Sequence, residues 1–376
     1  MKMIFTEGCN MNNYDRAIVS LGDANYLSAV FDKAEKEKKL SIVYLGGSIT
    51  MGCYTETEEN RYVNLSEKWF EEKFPQAEIS FFNAGIGATT SQFGAARADK
   101  HVLDKEPDLV FVEFSVNDDN TQLFRETYES LIRKLLKAPS VKAVVLINNL
   151  FYDDGRNAQE IHNEIGRHYG LPIVSVRDYI YPLLESGEQK REDYTQDMLH
   201  PNDKGHAMIA RLIRHLLDKE YECRIDDPVK PALASPVTAC RYEDSKRYQN
   251  QDITVKSEGF ASDLHESTQW SDPFKGGWLG SKKGSKITFL VKGSILMLQW
   301  RRTINKPAPK AYAVVDGNTD ERVLLDANFD EDWGDLCALT TVADNAGSGL
   351  HTLEVIIDEE GKEDSPFMII SVIAAN

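Results

Sequence analysis

Between residues 41 and 220 short apolar runs alternate with amphipathic stretches, and this alternation narrows the fold more than any other feature of the chain. SIVYLGG, EISFFNA, DLVFVEFS, KAVVLINN and PIVSV read as strands. RETYESLIRKLLKA, NAQEIHNEIGRHYG, NDKGHAMIARLIRHLLDKEY and a leading segment from Leu21 to Lys39 read as helices, with apolar residues at helical spacing. Strands that alternate with helices predict an α/β domain in which helices cover a parallel sheet.

After Tyr221 the pattern changes. DDPVKPALASP, residues 226–236, carries three prolines and reads as a linker. KITFLVKGSILMLQW, KAYAVVDG, RVLLDA, HTLEVIIDEE and PFMIISVIAA then follow one another with turn residues between them and no long helical pattern, which predicts an all-β sandwich. The expected division is an α/β domain over 1–225, a linker over 226–236 and a sandwich over 237–376. A chain of 376 residues exceeds the size at which single cores stop growing, which also favours two domains.

The net charge of −17 disfavours partners that need clustered Lys and Arg, so neither nucleic acid nor an anionic membrane surface is expected. Glu7 and Asp15 interrupt the amino-terminal sequence, leaving neither the apolar stretch of a signal peptide nor a membrane span, and the expected location is cytoplasmic. The five cysteines are scattered without a CxxC pair, which fits free thiols better than disulfides or a metal site. A homo-oligomer is compatible with the sequence.

Four short segments carry candidate chemistry. Gly46-Gly47-Ser48-Ile49-Thr50 places a hydroxyl at the carboxyl end of a strand, where open α/β sheets bind ligands. The same glycines would also serve a plain turn. A phosphate-cradling loop is disfavoured, because the lysine of GxxxxGK[ST] and a spaced GxGxxG are both missing. Asn83-Ala84-Gly85-Ile86-Gly87-Ala88 ends the next strand and offers backbone N–H groups to a developing anion. Ser115-Val116-Asn117-Asp118 ends the third, and the Asn117 amide can donate to the same anion. Asp197 and His200 stand three residues apart, a spacing that puts a carboxylate and an imidazole side by side on one turn. Each segment alone is ambiguous. Together they supply a nucleophile, anion donors, an orienting acid and a base, which is the set that acyl transfer needs.

In this order GGSIT, NAGIGATTSQFG, FSVND and DMLHP resemble the four blocks of the SGNH/GDSL hydrolase superfamily, over roughly residues 40 to 215. The resemblance implies a flavodoxin-like sheet with flanking helices, and a serine esterase needing no metal or organic cofactor. Carried over, the catalytic residues are Ser48, Asp197 and His200, and the oxyanion donors are the N–H groups of Ser48 and Ala88 with the Asn117 amide. The chain departs from the family where it has Ala88 in place of the frequent glycine, so Gly85 or Gly87 stands as an alternative donor. It departs again where GGS replaces GDS.

More narrowly, these blocks followed by a β-sandwich resemble carbohydrate acetylesterases, in particular bacterial mannan acetylesterases of carbohydrate esterase family 17, with their carbohydrate-binding-type module. That implies an acetylated carbohydrate as substrate. Trp270, Trp278 and Trp333 lie in segments rich in Gly, Ser, Asp and Asn and are expected to offer flat faces to sugar rings, whereas Trp300 ends an apolar run and is expected in the core. Two further readings remain: a lipase or thioesterase, and a carbohydrate-binding protein without catalysis.

Overall fold

The computed structural model describes residues 13–265 and 272–376. Its first part is built on six strands, β1 (Ile18–Ser20), β2 (Lys39–Gly46), β3 (Glu78–Gly85), β4 (Leu109–Glu113), β5 (Ala143–Asn148) and β6 (Ile173–Ser175), in the order β1-β6-β5-β4-β2-β3. All neighbours are parallel except β1, which runs antiparallel to β6. Every residue of β4 and β5 is buried, as expected of strands covered on both faces.

The helices α1 (Asn25–Lys36), α2 (Ser48–Met51), α3 (Tyr62–Lys73), α4 (Ser91–His101), α5 (Gln122–Lys137), α6 (Gln159–His168), α7 (Val176–Glu185) and α8 (Asp203–Glu222) connect and flank these strands. α1 and α3 pack with α8, while α4, α5 and α6 pack in sequence as a second group. β3 and β4 leave β2 on opposite sides, so the strand order reverses there, and the crevice at such a reversal is where open α/β sheets bind ligands. Ser48 follows β2 and Asn117 follows β4, on the two walls of that crevice.

The second part is a sandwich of two antiparallel sheets. β7 (Lys246–Tyr248), β9 (Phe260–Ser262), β10 (Trp278–Gly280), β12 (Ile295–Arg302), β15 (Leu336–Asp344) and β17 (Phe367–Ala375) form one sheet. β8 (Lys256–Glu258), β11 (Lys286–Lys292), β13 (Lys310–Val315), β14 (Val323–Asp326) and β16 (Leu350–Glu359) form the other. β11 and β16 alternate buried and more exposed residues, the mark of a sheet with one wet face. β17 is buried at all nine positions.

The reason is that the β12/β17 sheet is covered twice. Leu296, Leu298 and Val372 face the other sheet, while Ile295, Met297, Ile373 and Ala375 belong to the apolar core of the α/β domain. Polar ties reinforce the shared core. Arg241 donates to both oxygens of Glu126 and to Asp344, and Arg133 pairs with Glu243 at 2.7 Å. The proline-rich segment 226–236 is strapped down as well: Lys230 donates to the Val141 carbonyl at 2.7 Å and Arg133 to that of Ala234. The apolar core of the α/β domain thus extends onto the outer face of the β12/β17 sheet, while the sandwich keeps its own core.

Candidate active site

The nucleophile turn is shaped by close backbone approach. At Gly46 an added Cβ would lie 2.1 Å from Thr50 Oγ1, and at Gly47 it would lie 2.2 Å from Asn117 Oδ1. Gly46, whose added Cβ would also lie 2.6 Å from the Glu113 carbonyl oxygen, requires glycine, whereas a side chain at Gly47 would have to displace the Asn117 carboxamide. The departure from GDS has a local counterpart here, since the Asn117 carboxamide fills the space that a residue 47 side chain would need. Ser48 opens the short helix α2, where the first N–H groups have no intrahelical acceptor, and its side chain is almost fully buried.

Ser48 Oγ lies 2.8 Å from His200 Nε2, and His200 Nδ1 lies 2.6 Å from Asp197 Oδ2. The other Asp197 oxygen accepts the backbone N–H groups of Leu199 at 3.0 Å and His200 at 2.7 Å. The turn between them passes through Met198 at φ 65°. Burial alone would raise the Asp197 carboxyl, but the His200 ring and these two N–H groups outweigh it and hold the group below its usual range. A carboxylate so held is an acceptor for Nδ1–H and leaves Nε2 as the acceptor for the serine proton.

The second block closes over this pair. An added Cβ on Gly87 would lie 3.9 Å from the Ser48 Cβ, so the turn is in contact with the nucleophile. Gly85 is excluded as an anion donor, because its N–H is spent on Asn83 Oδ1 at 2.9 Å. The amides of Gly87 and Ala88 enter no backbone hydrogen bond among the described residues. Ala88 sits at φ 54°, the left-handed region that suits glycine. Ala88→Gly is accordingly expected to keep ester hydrolysis within about threefold and to raise stability by up to about 1 kcal/mol, as a turnover assay and a thermal melt would show.

Several residues outside the catalytic set support the site, and of these Arg97 and Tyr54 carried no motif signal. Asp118 accepts the Ser91 N–H at 2.9 Å, at the start of α4, and its second oxygen meets His162 Nε2 at 3.1 Å, which ties the third block to the second. Arg97 donates to the carbonyls of Gly46 at 3.0 Å and Ala84 at 2.7 Å, binding the ends of β2 and β3; its burial pulls the guanidinium down to about 9. Tyr54, half-exposed and at φ 64°, brings its ring within 5.6 Å of the His200 ring at the rim. Cys53 remains a spectator, because burial and the nearby Asp197 push its thiol up, away from the reactive thiolate.

The tryptophans divide differently from the expectation. Trp278 is 2% exposed and packs edge-on to Phe289 in the sandwich core, so no sugar can reach it. Trp270 lies outside the described residues. Trp333 is 57% exposed, with its ring edge-on to Phe329. Trp300 is buried and stacked on Phe367, in the core as expected.

Residues 44–208 match the GDSL-like Lipase/Acylhydrolase family. Over 177 residues, 45% of this chain and 79% of the relative, the sequence is 24% identical to thioesterase 1/protease 1/lysophospholipase L1 of Escherichia coli strain K12. The crystal structure of a two-domain esterase active on acetylated mannans is 43% identical, covers 96% of this chain and 98% of its own, and superposes with a TM-score of 0.93. The same esterase co-crystallised with mannopentaose superposes with a TM-score of 0.92. The likeness thus spans both domains and not the α/β domain alone. With this agreement and the ordered blocks, the chain belongs to the GDSL/SGNH lipase-acylhydrolase family and is a carboxylic ester hydrolase.

Proposed function

We propose that the protein removes O-acetyl groups from manno-oligosaccharides or mannan through Ser48, His200 and Asp197. His200 takes the Ser48 proton as the hydroxyl attacks the acetyl carbonyl. The oxyanion that forms is held by the N–H groups of Ser48 and Ala88, with Gly87 beside them, and by the Asn117 amide. His200 then gives the proton to the departing sugar oxygen, which leaves as a hydroxyl. Water enters, gives a proton to His200 as it attacks the acetyl carbonyl, and acetate leaves as His200 returns that proton to Ser48 Oγ.

The observation that carries the carbohydrate reading is the likeness of both domains to an esterase active on acetylated mannans, which the surface beside the oxyanion turn supports. A groove of about 560 Å³ runs from Ala88 and Thr89 to Trp300, Arg302 and Asp326 of the sandwich. Arg302 lies over the Phe329 ring, and Trp333 packs edge-on to that ring. The groove mixes Arg302 and Asp326 with apolar side chains such as Phe93, Phe124 and Leu336, a combination that suits both the hydroxyls and the apolar faces of a sugar ring.

Acetate release from acetylated mannan, compared with acetylated xylan and with long-chain p-nitrophenyl esters, tests the substrate class. Preference for long acyl chains would overturn it. Trp333→Ala is expected to lower kcat/KM for an acetylated manno-oligosaccharide by about tenfold while leaving p-nitrophenyl acetate within about twofold, since the small ester offers no ring to grip. An equal change on both substrates would remove Trp333 from the substrate site.

A further inference from the structure

Directly beneath the nucleophile turn lies a carboxyl that the acyl-transfer scheme does not use. Glu113 ends β4, opposite Gly46 of β2, and is buried. Its Oε2 accepts the Thr50 hydroxyl at 3.2 Å, and Thr50 Oγ1 in turn lies 2.8 Å from the Tyr62 hydroxyl. The Asn149 side chain and, more weakly, the Gly47 N–H favour the charged carboxyl without forming a hydrogen bond to it. Glu113 Oε1 and Asn149 Nδ2 are buried and form no hydrogen bond among the described residues.

These neighbours share one property: all of them present donors. An ionised carboxylate accepts from all of them at once, whereas a protonated acid or an amide can satisfy the Thr50 hydroxyl only by donating to it, which gives up that acceptor contact. Burying that charge is costly, and a core that needed only filling would use an apolar residue. Glu113 thus meets residues on both sides of Ser48, the Thr50 hydroxyl through a hydrogen bond and the Gly47 N–H through a weaker electrostatic attraction.

We infer that Glu113 is a positioning residue for catalysis, clasping the Gly47–Thr50 turn so that the Ser48 hydroxyl stays in line with His200 Nε2 and the Ser48 N–H stays on the oxyanion. This rests on Ser48 being the nucleophile. Burial, with the Asp118 charge adding to it, pushes the Glu113 carboxyl up to about 7. Asp118, Tyr62 of α3 and Tyr128 of α5 are the titratable groups that face it, and both tyrosines are driven well above their usual range. Below about pH 7 Glu113 takes up a proton and the clasp loosens, so the acidic limb of turnover carries its ionisation together with that of His200.

The test measures kcat and KM on p-nitrophenyl acetate from pH 5 to 9 for full-length wild type, Glu113→Gln, Thr50→Val and Ser48→Ala, with a thermal melt of each. Glu113→Gln should lower kcat by about 10- to 100-fold with KM within about threefold, and its acidic limb should lose one ionisation. Thr50→Val, which keeps the shape and removes one donor, should show a smaller loss, and the double variant should be no worse than Glu113→Gln alone. If folded Glu113→Gln turns over like wild type, or is slower with an unaltered acidic limb, the inference is overturned. Should Glu113→Gln not fold, Thr50→Val decides alone, and wild-type kcat with a wild-type pH profile overturns it. Full turnover in Ser48→Ala would sink the nucleophile assignment and this role with it. A dead Ser48→Ala beside wild-type-like Glu113→Gln and Thr50→Val would remove only the Glu113 role.

Discussion

Ser48→Ala should yield a folded protein whose turnover of p-nitrophenyl acetate is at least ~10³-fold below wild type. The substitution removes one oxygen from a nearly buried position and leaves the glycine-shaped turn intact, so little stability is at stake. The anion donors remain and still bind the ester carbonyl, so KM should change far less than kcat. A residual rate above the uncatalysed one is expected from those donors alone. Comparison of thermal melts and steady-state kinetics checks both halves of the expectation, and a folded variant with near wild-type turnover would exclude Ser48 as nucleophile.

The parts of this arrangement that could be read from the sequence are those encoded locally. The five apolar runs from SIVYLGG to PIVSV became β2 to β6; in β4, β5 and β6, buried at every position, a strand covered on both faces must be apolar throughout. The Asp197 and His200 spacing was legible because both partners lie on one turn. β1 was missed: it has three half-buried residues and takes its place only by pairing with β6. β15 was missed for its threonines, which turn toward the groove and the domain junction.

What the sequence hid depends on contacts between distant segments. Trp278 looks like a loop residue beside two glycines, yet Gly277 is there because a Cβ would lie 2.0 Å from the Ile369 carbonyl oxygen, and that close approach buries the ring. Glu113, Asp118 and Arg97 read as polar residues at strand ends or on a helix, and only the closed fold shows them buried and bonded to the site, Glu113 to the Thr50 hydroxyl and the other two to backbone. The unbroken apolar texture of PFMIISVIAA did hold a message, since an antiparallel strand without alternation must have its second face covered, here by the α/β domain.

Asp197→Asn and His200→Ala should each be impaired by about 10³-fold or more, and combining either with Ser48→Ala should add little. The chain of contacts explains why. Serine reaches only the imidazole, and the imidazole is oriented only by the carboxylate, through bonds of 2.8 Å and 2.6 Å. In Asp197→Asn the amide can still accept from the Leu199 and His200 backbone, so the turn survives. The group facing Nδ1 can then be an N–H, which favours the tautomer that carries its proton on Nε2 and cannot accept from serine. The loss should therefore fall on kcat with the fold intact. In wild type the rate should rise with pH as His200 loses its proton, because only the neutral ring accepts from serine. In His200→Ala the residual rate should no longer follow that ionisation. Kinetics of the single and double variants, with pH profiles of wild type and His200→Ala, check these outcomes; strictly multiplicative losses would mean that the three side chains act separately.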